Sequence, residues 1–517
     1  MTNGPYLLGI DVGTTAVKTL LCDINGKVIS KITSESYPVV HPKPGWAEQN
    51  PGDWWEAVKF TVKGILKASR IKADEIAGIG FGSHTDGCTP VTKNGKPLRP
   101  SMIWMDRRAI VECKELKEKL GTKIFEITGL ACDPYHVAPK ILWFRKNQPT
   151  LYDATYKFLN PGDFIVYKFT GNFMTDYTLA SCTMLFDIKR KKWSEELSEL
   201  MEIPIDKLPN VGPSASIAGE VLKEVAEETG LKKGTPVVIG GGDEEIGVIG
   251  AGATEPGYIC DITGMAEPIL VTVDKPIFDP KQVIELHGHG APDKWILESP
   301  GIVSGGNYRW FRDQLGSLEV QTAKKLRVDS YSILDAKAAT ISAGSNGLIF
   351  LPFTMGSITP EWNPHARGVF IGLTLSHTRE YLARAILEGS AYYLRDVIER
   401  VEELGMRIKE IRAAGGGAKS KLWRQIKADV TNKPVALPEV EDVSAFAGVI
   451  LAGVGTKLYK DIEGTARELV KVRELSKPRK KTHEIYDQLY EIYKQSYWNL
   501  KDVFKEIARF QEKRKPS

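Results

Sequence analysis

The chain has 517 residues, 42% of them hydrophobic and 26% charged, with a formal net charge of +4. That is the make-up of an ordinary soluble globular protein, and the length exceeds one core and points to two or three domains. So slight a basic excess leaves no electrostatic footprint for nucleic acid, and Lys477-Pro478-Arg479-Lys480-Lys481 reads as a solvated connector. In chain order, Leu7-Leu8-Gly9-Ile10-Asp11-Val12 predicts a doubly buried strand. A turn follows at Gly13-Thr14-Thr15, then a second strand rich in β-formers that closes at Asn25-Gly26. Gly13 permits close approach of a ligand, the amides and hydroxyls of Thr14 and Thr15 offer donors to phosphate oxygens, and Asp11 suits a hydrated Mg2+. A plain hairpin is the competing reading.

Strands and helices alternate along the chain, which predicts an α/β architecture. A first unit extends to about residue 250. Near its end Val237-Val238-Ile239-Gly240-Gly241-Gly242-Asp243-Glu244-Glu245 runs an apolar strand into three glycines and a carboxylate. Asp243 is placed to take a proton from a hydroxyl attacking a terminal phosphoryl group, and for a loose transition state an unshifted carboxylate suffices. Without that chemistry, Asp243 would cap a helix while Glu244 and Glu245 complement its dipole. A second unit restarts at Tyr258-Ile259-Cys260-Asp261-Ile262-Thr263-Gly264, echoing the opening with Asp261 and Thr263-Gly264 in the places of Asp11 and Gly13-Thr14. From Thr482 to Lys513 the pattern is a long amphipathic helix with its Tyr, Leu, Ile and Phe side turned inward. The resulting division is 1–250, 251–475 and a helical extension 476–517.

Six scattered cysteines without a C-x-x-C pair indicate neither a zinc site nor a disulfide framework, and suit a reducing cytoplasm. His287-Gly288-His289 lacks a nearby third ligand and reads as a loop. The longest apolar stretch, Ala445 to Val454, is too short for a bilayer, and no secretory leader is read at the start, so no membrane partner is expected.

Several ordered segments together resemble the FGGY carbohydrate kinases, especially their xylulokinase-like members, over about residues 6 to 455. They include Pro44-Gly45-Trp46-Ala47-Glu48, Ile103-Trp104-Met105-Asp106-Arg107-Arg108, Pro161-Gly162-Asp163, Pro364-His365-Ala366-Arg367-Gly368 and Gly415-Gly416-Gly417-Ala418-Lys419-Ser420. The resemblance implies two actin-like (ribonuclease H-like, ASKHA) domains around a central cleft, closing on ATP and sugar. By that resemblance Asp11, Thr14, Thr15 and Lys18 form the first phosphate loop and Thr263 with Gly264 the second. Gly305 and Gly306 lie near the phosphates, and Gly416, Gly417 and Ser420 hold adenosine.

Acceptor specificity falls on His84-Thr85-Asp86, where xylulokinases show Gln-Met-His and glycerol kinases Gln-Arg-Glu. Trp104, Tyr135, Asp243 and Glu244 complete the substrate set, Asp11 and Asp243 are the Mg2+ ligands, and Asp243 is the catalytic base. Asp106 and Arg107 brace the site as an ion pair, Arg108 is given no role, and His136 and His365 read as ordinary polar residues. The implied activity is ATP-dependent phosphorylation of a small sugar or polyol in the cytoplasm, with a pentulose such as D-xylulose the best fit and glycerol or another polyol the alternative. An actin-like ATP-driven switch is the alternative from a different class. A homodimer is among the assemblies the sequence leaves open.

Overall fold

The computed structural model describes residues 4–512, which divide into two compact units: 4–255 with Thr272–Leu297 and Asp442–Lys471, and Pro256–Val271 with Glu298–Glu441 and 472–512. The chain therefore returns twice to its first unit, which a linear division at 250 and 475 does not express.

In the first unit the strands lie in the order Ile217–Glu220, Pro236–Val238, Ile76–Ser83, Tyr6–Val12, Val17–Asp23, Val28–Thr33. Tyr6–Val12 is buried throughout and its two faces meet different partners. Leu8, Ile10 and Val12 join a core with Trp54, Val58, Val62 and Ile65 of the helix Pro51–Ser69. Gly9 faces the other way, where an added Cβ would fall 1.9 Å from the Ala445 carbonyl oxygen, and one at Gly80 would fall 2.1 Å from that of Gly448. Absent side chains on the strands thus let the apolar helix Val443–Gly455 lie against the sheet. The run Ala445 to Val454, too short for a membrane, is a buried core helix; among the described residues no helix is long and apolar enough to cross one.

In the second unit Tyr258–Ile262 pairs antiparallel with Ile269–Val273 and parallel with Glu410–Ala414. Glu410–Ala414 pairs parallel with Val435–Pro438, which pairs antiparallel with Val472–Ser476. The first unit repeats this pattern. Tyr6–Val12 pairs antiparallel with Val17–Asp23 and parallel with Ile76–Ser83, which pairs parallel with Pro236–Val238, itself antiparallel to Ile217–Glu220. The faint echo in the sequence is therefore a repeated topology.

The helix Lys480–Glu512 buries Tyr486, Tyr490, Tyr493, Tyr497 and Phe504 on one stripe, as helical spacing requires, whereas Ile485 and Ile492 face outward. Two of the buried tyrosine hydroxyls find carboxylates, Tyr486 at 2.7 Å from Glu388 and Tyr490 at 2.6 Å from Asp396. Lys513, the expected end of that helix, lies outside the described residues. His287 belongs to a buried strand, Glu285–Gly288, and not to a loop.

Candidate functional site

In the first unit the hairpin register sets Asp11 opposite Lys18, with Nζ 3.5 Å from Oδ2. Asp11 shares the Gly9 face, so it meets the returning helix, and Ser444 Oγ donates to its Oδ1 at 3.1 Å. Burial pushes the Asp11 carboxyl above the ordinary aspartate range, against Lys18 and Ser444. Lys18 also lies 3.6 Å from Asp442, and its ammonium is held up first by Asp11 and further by Asp442 and Asp243. The turn is clamped from outside. Gln49 Nε2 donates to the Thr14 carbonyl at 2.7 Å, Trp104 Nε1 to Thr14 Oγ1 at 3.0 Å, and the Tyr37 hydroxyl to the Gly13 carbonyl. Thr15 stays exposed. Trp104 stands in a turn with its ring partly exposed.

Asp243 opens the helix Asp243–Gly250. Gly242, not Asp243, is the N-cap, so the Asp243 side chain is not spent on capping; its Oδ1 accepts only the neighbouring Glu244 amide, at 3.0 Å. Burial, then the charges of Asp11 and Glu245, hold this carboxyl well above the aspartate range. An unshifted carboxylate would suffice for the chemistry, but the fold supplies a raised one, first by burying it and then by setting Asp11 and Glu245 near it. Glu244 is raised likewise by burial, Asp243, Glu245 and Asp86.

Asp86 sits in the left-handed region at φ 56° and is nearly buried. Lys140, wholly buried, donates to the Asp86 carbonyl at 2.5 Å and to that of Ile103 at 3.0 Å, holding the strained turn; burial lowers this lysine to about 8. Thr85 Oγ1 reaches Asp86 Oδ2 at 3.3 Å. His136 is no ordinary polar residue. Its Nδ1 lies 3.1 Å from Asp86 Oδ1 and its Nε2 3.7 Å from Glu285 Oε1, and although burial opposes the charge, the two carboxylates raise the imidazolium to about 10. The Tyr135 hydroxyl donates to Glu285 Oε2 at 2.8 Å. His84 is packed edge-on against Trp54 at 5.4 Å, and burial lowers it to about 3, so its imidazole is neutral.

Asp106 pairs with Arg108, not with Arg107. Arg108 Nη2 is 2.6 Å from Asp106 and from Glu48, with the guanidinium 3.6 Å above the Trp46 ring. Arg107 pairs with Asp133 instead and lies over the Tyr135 ring.

In the second unit Thr263 Oγ1 donates to Asp261 Oδ1 at 3.0 Å. Lys427 Nζ reaches Asp261 at 2.5 Å, Thr263 Oγ1 at 2.6 Å and Glu267 at 2.5 Å. Gly305 must lack a side chain, because a Cβ there would fall 2.0 Å from the Gly264 carbonyl oxygen, and the Gly306 amide donates to Met265 O. Gly417 donates to Thr263 O at 2.9 Å, while Gly416 faces open space. Ser420 caps the helix Lys421–Thr431 by accepting from the Trp423 amide at 3.0 Å.

Sequence reasoning missed Ser444 and Asp442, hidden at the mouth of an apolar helix more than 400 residues from Asp11. It also missed Lys140, Glu285 and Lys427. A lysine inside an otherwise apolar helical stretch, as in Val137-Ala138-Pro139-Lys140-Ile141-Leu142, was the one available signal.

Two family models span most of the chain: the N-terminal domain of the FGGY family of carbohydrate kinases over residues 6–250, and its C-terminal domain over 269–456. The chain belongs to this family and is a sugar kinase, so the switch reading falls away. Among relatives, a xylulose kinase of Bacillus subtilis is 31% identical over 98% of this chain and 99% of its own. A glycerol kinase of Thermococcus kodakarensis is 32% identical over 95% and 96%, and a gluconokinase of Bacillus subtilis 34% over 86% of each. The ligand-bound xylulose kinase from Lactobacillus acidophilus superposes with a TM-score of 0.88 at 26% identity, covering 97% of this chain and 99% of that one.

Proposed function

We infer that this enzyme transfers the terminal phosphoryl group of ATP to a hydroxyl of a neutral, small polyhydroxylated acceptor, a pentulose such as D-xylulose before glycerol. The observation that carries this is the set of carboxyl groups Asp86, Glu244 and Asp243 at one end of the first-unit sheet, Asp86 buried and the other two half-buried. Carboxyl oxygens accept from vicinal hydroxyls and repel an anion, which speaks against an aldonate such as gluconate.

Asp243 receives the acceptor proton, as a side chain at the head of a helix that Gly242 caps allows. Lys18 and the turn amides at Thr14 and Thr15 receive phosphate oxygens, and Trp104 holds Thr14 in place for them. Asp11 and Asp243 fit a divalent cation, since each is a carboxyl pushed up by burial and by acidic neighbours, a state that added positive charge relieves. Mg2+ bound there supplies charge neutralisation of the phosphates. Thr263, Gly264, Gly305 and Gly306 serve the nucleotide phosphates in the second unit, and open space at Gly416 with Gly417 and Ser420 beside it suits adenosine. The six cysteines carry no disulfide, which suits work in the cytoplasm.

A coupled ADP-release assay across xylulose, ribulose, glycerol, erythritol, inositol and gluconate tests the reading. A ketopentose should show the highest kcat/KM and gluconate the lowest. Preference for gluconate would overturn the acceptor assignment, and ADP release without dependence on any acceptor would overturn the transfer itself.

A further inference from the structure

Two residues beyond Asp243, three side chains of different chemistry meet inside the first unit. Cys182 follows the short helix Tyr177–Ser181, Glu245 lies in the first turn of Asp243–Gly250, and His287 stands on the strand Glu285–Gly288. All three are at most 3% exposed. Cys182 Sγ is 3.1 Å from Glu245 Oε1 and 3.6 Å from His287 Nδ1, and those two atoms are 3.8 Å apart.

A tetrahedral zinc ion, with bonds of about 2.3 Å to sulfur and about 2.0 Å to nitrogen or oxygen, spans ligand-to-ligand edges of roughly 3.3 to 3.6 Å. The three separations bracket that range. Hydrogen bonding alone accounts for the cluster less well. The thiol has one proton for both Glu245 Oε1 and the Thr178 carbonyl at 3.3 Å, and Glu245 Oε2 is buried without a hydrogen-bond partner among the described residues. Outside the cluster Glu285 Oε2 lies 3.5 Å from His287 Nε2, a carboxylate beside the ring nitrogen that faces away from the cluster, while Nδ1 faces Cys182 and Glu245. Thiolate and carboxylate together balance a dication.

We propose that Cys182, Glu245 and His287 form a site for a thiophilic divalent cation, zinc by the chemistry of its donors. Sulfur and imidazole set it apart from the all-oxygen Mg2+ chemistry at Asp11 and Asp243. Joining residues 182, 245 and 287, the ion fixes the first turn of the helix that carries Asp243, so its role is positioning. The site stands whatever the acceptor is.

Two measurements on the full chain test it. The enzyme produced with zinc in the medium and passed over chelating resin should retain about one zinc ion per chain by elemental analysis. Cobalt(II) added after stripping should give a thiolate-to-metal absorption band, lost in Cys182→Ser. A folded Cys182→Ser, His287→Gln double variant should bind zinc at least about tenfold more weakly. A wild-type chain that holds no zinc and shows no cobalt–thiolate band overturns the proposal, and so does zinc retained undiminished by the folded double variant. The cobalt band is read on the wild-type chain, so the test decides even where a variant does not fold.

Discussion

Asp11 and Asp261 are the penultimate residues of equivalent strands in a repeated topology, and each faces a lysine, yet the two pairs differ in kind. The Lys18 side chain is 40% exposed and stands 3.5 Å from Asp11. That of Lys427 is 4% exposed and is locked onto Asp261, Thr263 and Glu267 at 2.5 to 2.6 Å. The first pair keeps its lysine open at the surface of its turn, whereas the second is buried and uses its carboxylate and its threonine hydroxyl to brace the loop that carries Thr263 and Gly264. The repeated hairpin thus carries an open lysine in one unit and a buried, bracing one in the other.

Four substitutions sharpen or break that contrast. The largest effect is expected from Asp243→Asn, which should lower kcat by about two to four powers of ten while leaving ATP affinity nearly unchanged by calorimetry. Next, Lys427→Met leaves Asp261 and Glu267 buried without their cation and should cost about 3 to 5 kcal/mol by urea unfolding. Lys18→Met, by contrast, removes a partly exposed lysine from a carboxyl that keeps its hydrogen bond from Ser444 and should cost less stability than Lys427→Met, its loss showing in turnover. If the two lysine variants were equally destabilised, the contrast would be gone. The smallest effect belongs to Trp104→Phe, which removes one hydrogen bond to Thr14 and should cost about 1 kcal/mol in kcat/KM, read in the coupled assay.

Much of this was legible in the sequence where local chemistry decides the outcome. Alternating apolar strands, Asn25-Gly26 and the glycine triplet before Asp243 dictate strand, turn and helix start without help from distant residues. The tyrosine stripe of Lys480–Glu512 was legible too, by its helical spacing. What stayed hidden depends on residues far apart in the chain. Nothing near Asp11 announces Ser444, nothing near Asp106 says that Arg108 and not Arg107 is its partner, and nothing near His287 says that Cys182 and Glu245 stand beside it. Burial hid the rest: the upward shift at Asp243 arises first from desolvation and then from carboxyls that the fold gathers from separate segments.

The account rests on Asp243 acting as a carboxylate whose proton affinity the fold has raised. Because the charged form is the base, activity should climb with pH as that form fills, so the raised value moves the acid limb of kcat/KM to higher pH. The direct measurement is the pH dependence of kcat/KM for the wild-type enzyme beside the residual activity of Asp243→Asn. The wild type should rise through an apparent pKa above the ordinary aspartate range, and the variant should lack that limb. A variant that keeps the same limb, or a wild type already at full activity down to the ordinary aspartate range, would contradict the account.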